Sequence, residues 1–253
     1  MKRIQHKLSE NKKILSIYFS AGFPNLNDTK SLIEKLAENG VDMIEIGLPF
    51  SDPLADGPTI QASSTQALKN GMTSEILFEQ LKDIRNTVSI PLIIMGYFNP
   101  ILQFGIEDFL KKCKETGIDG LIIPDLPLEI YLSEYKQLFE SHNISMIFLI
   151  TSQTSEERIR LIDANSNAFI YMVSSASVTG SRDSFDDNQL AYFERIAAMK
   201  LKNPQIIGFG ISNKTTFQQA IKHQKGAIIG SSFIQFITNN PVSSISNFIQ
   251  NII

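Results

Sequence analysis

Short apolar runs recur along this chain, each followed by a stretch in which apolar positions return every three or four residues. The first pattern is that of a strand buried on both faces and the second that of an amphipathic helix. Residues 1–11 predict a short polar helix. Strand one, Ile14 to Ser20, ends in Ala-Gly-Phe-Pro, and Asn27/Asp28 are placed to cap a helix over about 29–39. Strand two, Met43–Leu48, runs into a loop carrying Pro49, Pro53, Gly57 and Pro58. Helices are predicted over about 60–70 and 74–86. Strand three, Pro91 to Tyr97, leads to a Phe98-Asn99-Pro100 turn, then a helix over 107–116. Strand four, Gly120–Pro124, is followed at once by Asp125 and a helix over about 129–141. Strand five is Ser145–Ile150 with a helix over 155–164, and strand six is Ala168–Val173. A long polar loop, SSASVTGSRDSFDD, separates strand six from a helix over about 188–200. Strand seven, Gln205–Phe209, a helix over 214–223 and strand eight, Gly226–Ile229, complete the set. Gly230-Ser231 then opens a short helix before a last one over 242–252.

Eight strands alternating with helices imply parallel strands joined by helical crossovers. In about 250 residues this is the size of a closed (β/α)8 barrel. The expectation is one such domain over residues 1–253, with an extra N-terminal helix and an extra short helix after strand eight. A doubly wound open sheet is the alternative, but Ser-Ala-Gly-Phe-Pro after strand one lacks its glycine fingerprint.

Composition narrows the setting. The 253 residues are 43% hydrophobic, enough for a large core, and the net charge of −3 gives no basic footprint for nucleic acid. Cys113 is the one cysteine, so no disulfide framework exists. MKRIQHKLSENKK lacks the apolar core of a signal peptide, and no apolar run reaches the ~18 residues of a membrane span. A cytoplasmic protein is expected.

The chemistry concentrates in DMIEIGLPFSDPLADGPTIQ, residues 42–61. Alternation sends Ile44, Ile46 and Leu48 one way and Met43, Glu45 and Gly47 the other. A carboxylate inside a buried strand is unfavourable unless it is paired or its pKa rises. Asp56 adds a second acid on an Ala-Asp-Gly-Pro turn, read as mobile and wetter. The two are either an acid/base pair, or a core ion pair and a turn cap. Barrel active sites lie at the C-terminal strand ends, where the loops after strands two and six are long. Those after strands seven and eight, Gly208–Ser212 and Gly230-Ser231-Ser232, bear the glycines of an anion cradle. His6, His142 and His223 all fall on polar helical stretches, so no imidazole metal site is expected. No strand carries a lysine for a Schiff base. Tyr171 on strand six is either a packing residue or part of the site.

These residues resemble the tryptophan synthase alpha chain family over essentially the whole chain. IEIGLPFSDPLADGPTIQ matches its central motif, and MGYFNPI, PDLP, the VTG loop, GFGIS and IIGSS follow in order. The resemblance implies Glu45 and Asp56 as catalytic acids, with Tyr171 beside them to orient Glu45. It implies Gly180, Phe209, Gly210, Gly230 and Ser231 as a phosphate cradle, and Thr179 in loop closure. Tyr18, Ile60, Met95, Tyr97 and Ile122 would line an indole slot. Two departures stand out: Tyr18, where many relatives have phenylalanine, and Ser177, where many have glycine.

The implied reaction is cleavage of indole-3-glycerol phosphate to indole and glyceraldehyde 3-phosphate, without cofactor. The implied partner is a pyridoxal-phosphate beta chain in an α2β2 assembly. Docking would involve the Pro53–Asp56 loop and the Asn99-Pro100 turn. A stand-alone indole-releasing lyase, a catalytically weak activating subunit and an unrelated phosphate-binding isomerase are the alternatives.

Overall fold

The computed structural model describes residues 2–174 and 184–253. Its strands are β1 (Ile14–Ser20), β2 (Met43–Gly47), β3 (Leu92–Met95), β4 (Gly120–Ile122), β5 (Ser145–Ile150), β6 (Ile170–Val173), β7 (Gln205–Gly208) and β8 (Gly226–Ile229). They pair in sequence order, all in parallel, and β8 returns to β1 to close the barrel. The helices are α1 (Arg3–Ser9), α2 (Asp28–Glu38), α3 (Pro58–Lys69), α4 (Ser74–Leu81), α5 (Phe98–Phe104), α6 (Ile106–Thr116), α7 (Leu128–Ile130), α8 (Lys136–Ser141), α9 (Glu156–Asn165), α10 (Asp187–Ala198), α11 (Lys214–Ile221), α12 (Ser231–Asn239) and α13 (Ile245–Gln250). Both additions to the eight-unit plan are present, α1 before β1 and α12 after β8. Among the described residues no helix is long and apolar enough to cross a membrane.

The ladder register carries one parity around the barrel. Tyr18 pairs with Glu45, Glu45 with Ile93, Ile93 with Gly120, and Gly120 with Ser145. These positions point inward, and the opposite parity (Ile17, Ile44, Ile46) is equally buried beneath the helices. That double burial is why the strands read as continuous apolar runs.

The barrel floor is sealed by α1. Ile4 is fully buried, and its Cδ1 lies 3.2 Å from where a Cβ on Gly120 would stand. Two carboxylates fasten this end. Asp42 accepts from the Leu15 N–H at 3.1 Å and meets Lys7 and Lys12. Asp119 accepts from the Leu92 N–H at 3.0 Å, from Arg3 at 3.0 Å and from Arg85 at 2.6 Å.

Three details depart from the pattern-based expectation. Asn99-Pro100 is not a turn but the first turn of α5; proline is tolerated there because first-turn N–H groups have no intrahelical partner. Neither Asn27 nor Asp28 caps α2 with its side chain; Asp28 instead accepts from the backbone and side-chain nitrogens of Asn25. Between α7 and α8, residues Tyr131–Tyr135 form a π-helical turn, so the helix over 129–141 is not regular.

Candidate active site

β2 brings Glu45 to the barrel interior with 0% exposure, and neither carboxylate oxygen has a hydrogen-bond partner. Burial alone pushes its carboxyl up to about 8. Among the described residues, the core ion pair held open by the sequence is therefore absent. Without compensation, a carboxyl in an apolar site stays protonated at neutral pH.

The loop after β2 carries Asp56 back over the mouth, and Tyr97 holds it there. The Tyr97 hydroxyl donates to Asp56 Oδ2 at 3.0 Å and accepts from the Ala55 N–H at 2.8 Å. Burial raises the Asp56 carboxyl above the usual range, and the bond from Tyr97 opposes that rise. Asp56 is half-buried, wetter than Glu45 as expected, and its carboxyl is tethered by the Tyr97 bond. Tyr97, read as an indole-slot residue, is also the latch of this loop. The same ring packs on Phe50 with centroids 5.2 Å apart, tying both ends of the loop to the end of β3.

Tyr171 and Tyr18 reach the interior from β6 and β1. Burial first, and then the charges of Glu45 and Asp56, push the Tyr171 phenol well above its ordinary value. The Tyr18 phenol is raised well above its ordinary value by burial, then by Asp56 and, more weakly, by Glu45, while a bond with the Ser20 side chain opposes the rise. Both phenols therefore face both acids. Glu45 accepts no bond from Tyr171, so the orienting contact expected between them is not made in this state. Ile60, Met95 and Ile122 are buried at the same end, with Met95 paired to Gly47 and Ile122 paired to Met95.

Across the mouth, Phe209 and Gly210 adopt successive left-handed conformations, with φ of 69° and 72°. A side chain in that region is disfavoured by roughly 1–3 kcal/mol, so the turn must be held from outside. Ser174 supplies the hold: its hydroxyl donates to the Phe209 carbonyl at 2.7 Å, and its N–H donates to Gly208 O at 3.1 Å. Ser174 was not singled out from sequence; its position directly after an apolar strand is the one available signal. Gly230 precedes α12, and no side chain caps that helix, which leaves first-turn N–H groups for an external acceptor. Thr179, Gly180 and Ser177 lie outside the described residues.

A family profile described as "Tryptophan synthase alpha chain" matches residues 4–252. The chain belongs to the tryptophan synthase alpha chain family. It is 71% identical over 252 residues to the alpha chain of Flavobacterium psychrophilum, covering all of both chains. It is 67% identical over 249 residues to that of Flavobacterium johnsoniae, covering 98% of each. Among solved structures, tryptophan synthase subunit alpha from Legionella pneumophila superposes with a TM-score of 0.88 at 30% identity, covering 99% of this chain and 97% of that one. The tryptophan synthase of Mycobacterium tuberculosis in its aminoacrylate-bound form matches in fold, with a TM-score of 0.86 at 24% identity, covering 99% of this chain and 98% of that one. Family membership makes the protein a carbon–carbon lyase of tryptophan biosynthesis.

Proposed function

We propose that Glu45, Asp56 and Tyr171 carry out the family's reaction in this chain, the retro-aldol cleavage of indole-3-glycerol phosphate. The observation that carries this reading is the pairing of a protonated, unpartnered Glu45 with an Asp56 latched over the same mouth. Breaking the bond from indole C3 to the glycerol carbon requires a proton on C3. It also requires acceptance of the indole N–H and removal of the proton from the adjacent hydroxyl. Glu45, protonated below about 8, delivers its proton to C3. The carboxylate so formed takes the hydroxyl proton as that carbon becomes the aldehyde, and the bonding pair returns to the ring. Asp56 accepts the indole N–H and stabilises the cationic intermediate, with Tyr97 fixing its carboxylate. Tyr171 orients Glu45 once substrate closes the site.

Ile60, Met95, Ile122 and the Tyr18 ring form the apolar slot for the indole. The turn at Phe209-Gly210 and the start of α12 at Gly230-Ser231, together with Gly180, hold the phosphate, and Thr179 takes part in closure. Phosphate binding far from the breaking bond anchors the reacting carbon.

The protein works in the cytoplasm against a pyridoxal-phosphate beta chain, as an α2β2 assembly through which indole passes directly. Leu54, at the tip of the Asp56 loop, is 85% exposed, and Leu102 on α5 is 48% exposed; both lie on elements of the proposed docking rim. The rim thus consists of the Pro53–Asp56 loop and a helix, not of two loops. Incubating the purified chain with indole-3-glycerol phosphate, with and without a beta chain, tests the reading. Indole release that rises with the beta chain is the expected result. Release unaffected by any beta chain means a stand-alone lyase, and no release means that the assignment of the three residues is wrong.

A further inference from the structure

Two phenols enter the mouth of the barrel by the same device. Tyr171 on β6 lies over Gly208 of β7, and Tyr18 on β1 lies over Gly47 of β2. A Cβ on either glycine would stand 2.0 Å or 2.2 Å, respectively, from the phenol oxygen. The proposed chemistry uses only the first of these hydroxyls. The Tyr18 ring runs against the phosphate side of the mouth, where its Cδ1 is 3.3 Å from a Cβ position at Gly230. Its oxygen, at the other end of the ring, reaches β2 two residues beyond Glu45. An indole slot needs the ring alone; nothing about apolar contact requires the hydroxyl.

Tyr18 and Glu45 are direct ladder partners, on backbones about 4.8 Å apart. Both Glu45 oxygens are buried without a partner, and a buried orphan of this kind calls for an explanation. The titratable groups that face Glu45 are Tyr18 from β1, Tyr171 from β6, and Asp56 from the loop after β2, which is tied to Tyr97 at the end of β3. Among the described residues no cation is paired with it.

We propose that Tyr18 is a second positioning residue for Glu45, its hydroxyl donating to the Glu45 carboxylate whenever that acid has given up its proton. A phenol suits both halves of a proton shuttle, because it accepts from the acid and donates to the carboxylate. The bond to the charged form is the stronger of the two, so Tyr18 favours ionised Glu45 and draws its pKa toward neutrality. This rests on Glu45 being the proton shuttle of the proposed function.

The test titrates Glu45 directly. Infrared difference spectra against pH follow its carboxylic C=O band, which Glu45→Gln identifies by removing it. Tyr18→Phe takes away one oxygen and is expected to raise the midpoint by roughly 0.5–1 unit, the scale of one hydrogen bond to a charged group. Tyr18→Met, which also lacks the hydroxyl, should raise it similarly. The alkaline limb of the pH profile for indole release should move up with the midpoint. At neutral pH kcat should fall about threefold to tenfold, with KM within about twofold. A midpoint that stays put or falls in Tyr18→Phe overturns the proposal, as does a shift seen with methionine alone, which would mark a packing role. The infrared arm is read without substrate, so a wild-type chain that releases no indole refutes the shuttle while leaving the hydrogen bond separately decided.

Discussion

At the barrel floor, Asp42 and Asp119 each accept a backbone N–H and meet two basic side chains, whereas at the mouth Glu45 meets none among the described residues and Asp56 has a phenol. Three of the four stand just before or inside a parallel strand and Asp56 on the loop after β2, yet the two ends of the barrel treat them oppositely. Compensation at the floor makes the carboxylates into fasteners, binding α1 and the start of β4 to the rest of the barrel. Withholding compensation at the mouth leaves a carboxyl whose proton can move near neutral pH. The fasteners and the proposed chemistry thus lie at opposite ends of the same strands, the division expected of such barrels.

The largest test of this contrast is to neutralise each end. Glu45→Gln and Asp56→Asn should each lower indole formation by at least about 10²-fold with the fold intact, measured by single-turnover kinetics and circular dichroism. Near-full activity in either variant would break the contrast at the mouth. Asp119→Ala should do the reverse. It strands the largely buried Arg85 and should destabilise by about 3 kcal/mol in urea titration, with turnover per folded molecule unchanged.

A pH series sharpens the same point. The Glu45 carboxyl rises from 4.5 to about 8 on folding, so the folded chain binds an extra proton between those values. Stability from this group is complete below about pH 4.5 and is lost as pH climbs to about 8. Melting curves should show a loss on the order of 4 kcal/mol across that window, absent in Glu45→Gln. Tyr97→Phe should cost roughly tenfold in turnover by freeing Asp56, since a hydrogen bond to a charged group is involved. Arg3→Ala should be the mildest. Its side chain is 44% exposed, and removing it should destabilise by less than about 1 kcal/mol.

Much of the fold was legible because strand burial writes itself into long apolar runs. β1, β5 and β8 have the bounds that their runs predict, whereas β3, β4 and β6 are shorter than theirs because flanking apolar residues are buried outside the ladder. α5 was illegible, because Phe-Asn-Pro reads as a turn unless proline is allowed the first helical turn. Glu45 stood out as a charge in an apolar strand. The latch on Asp56 did not, since Tyr97 and Asp56 are 41 residues apart and meet only when β2 and β3 are neighbours. The floor acids did leave a signal. Gly40-Val41-Asp42 precedes β2 and Gly117-Ile118-Asp119 precedes β4, each glycine with a positive φ after its helix.

The seam between β1 and β8 bears on how such a chain is made. Ile14 finds its partner Gly226 only after the six strands between them have been made. Until then β1 lacks its second neighbour, and the mouth has Tyr18, Glu45 and Asp56 but not Gly230. A nascent chain therefore carries the acids of the proposed site long before the ring that encloses them is shut, and its last strand is the one that closes the barrel.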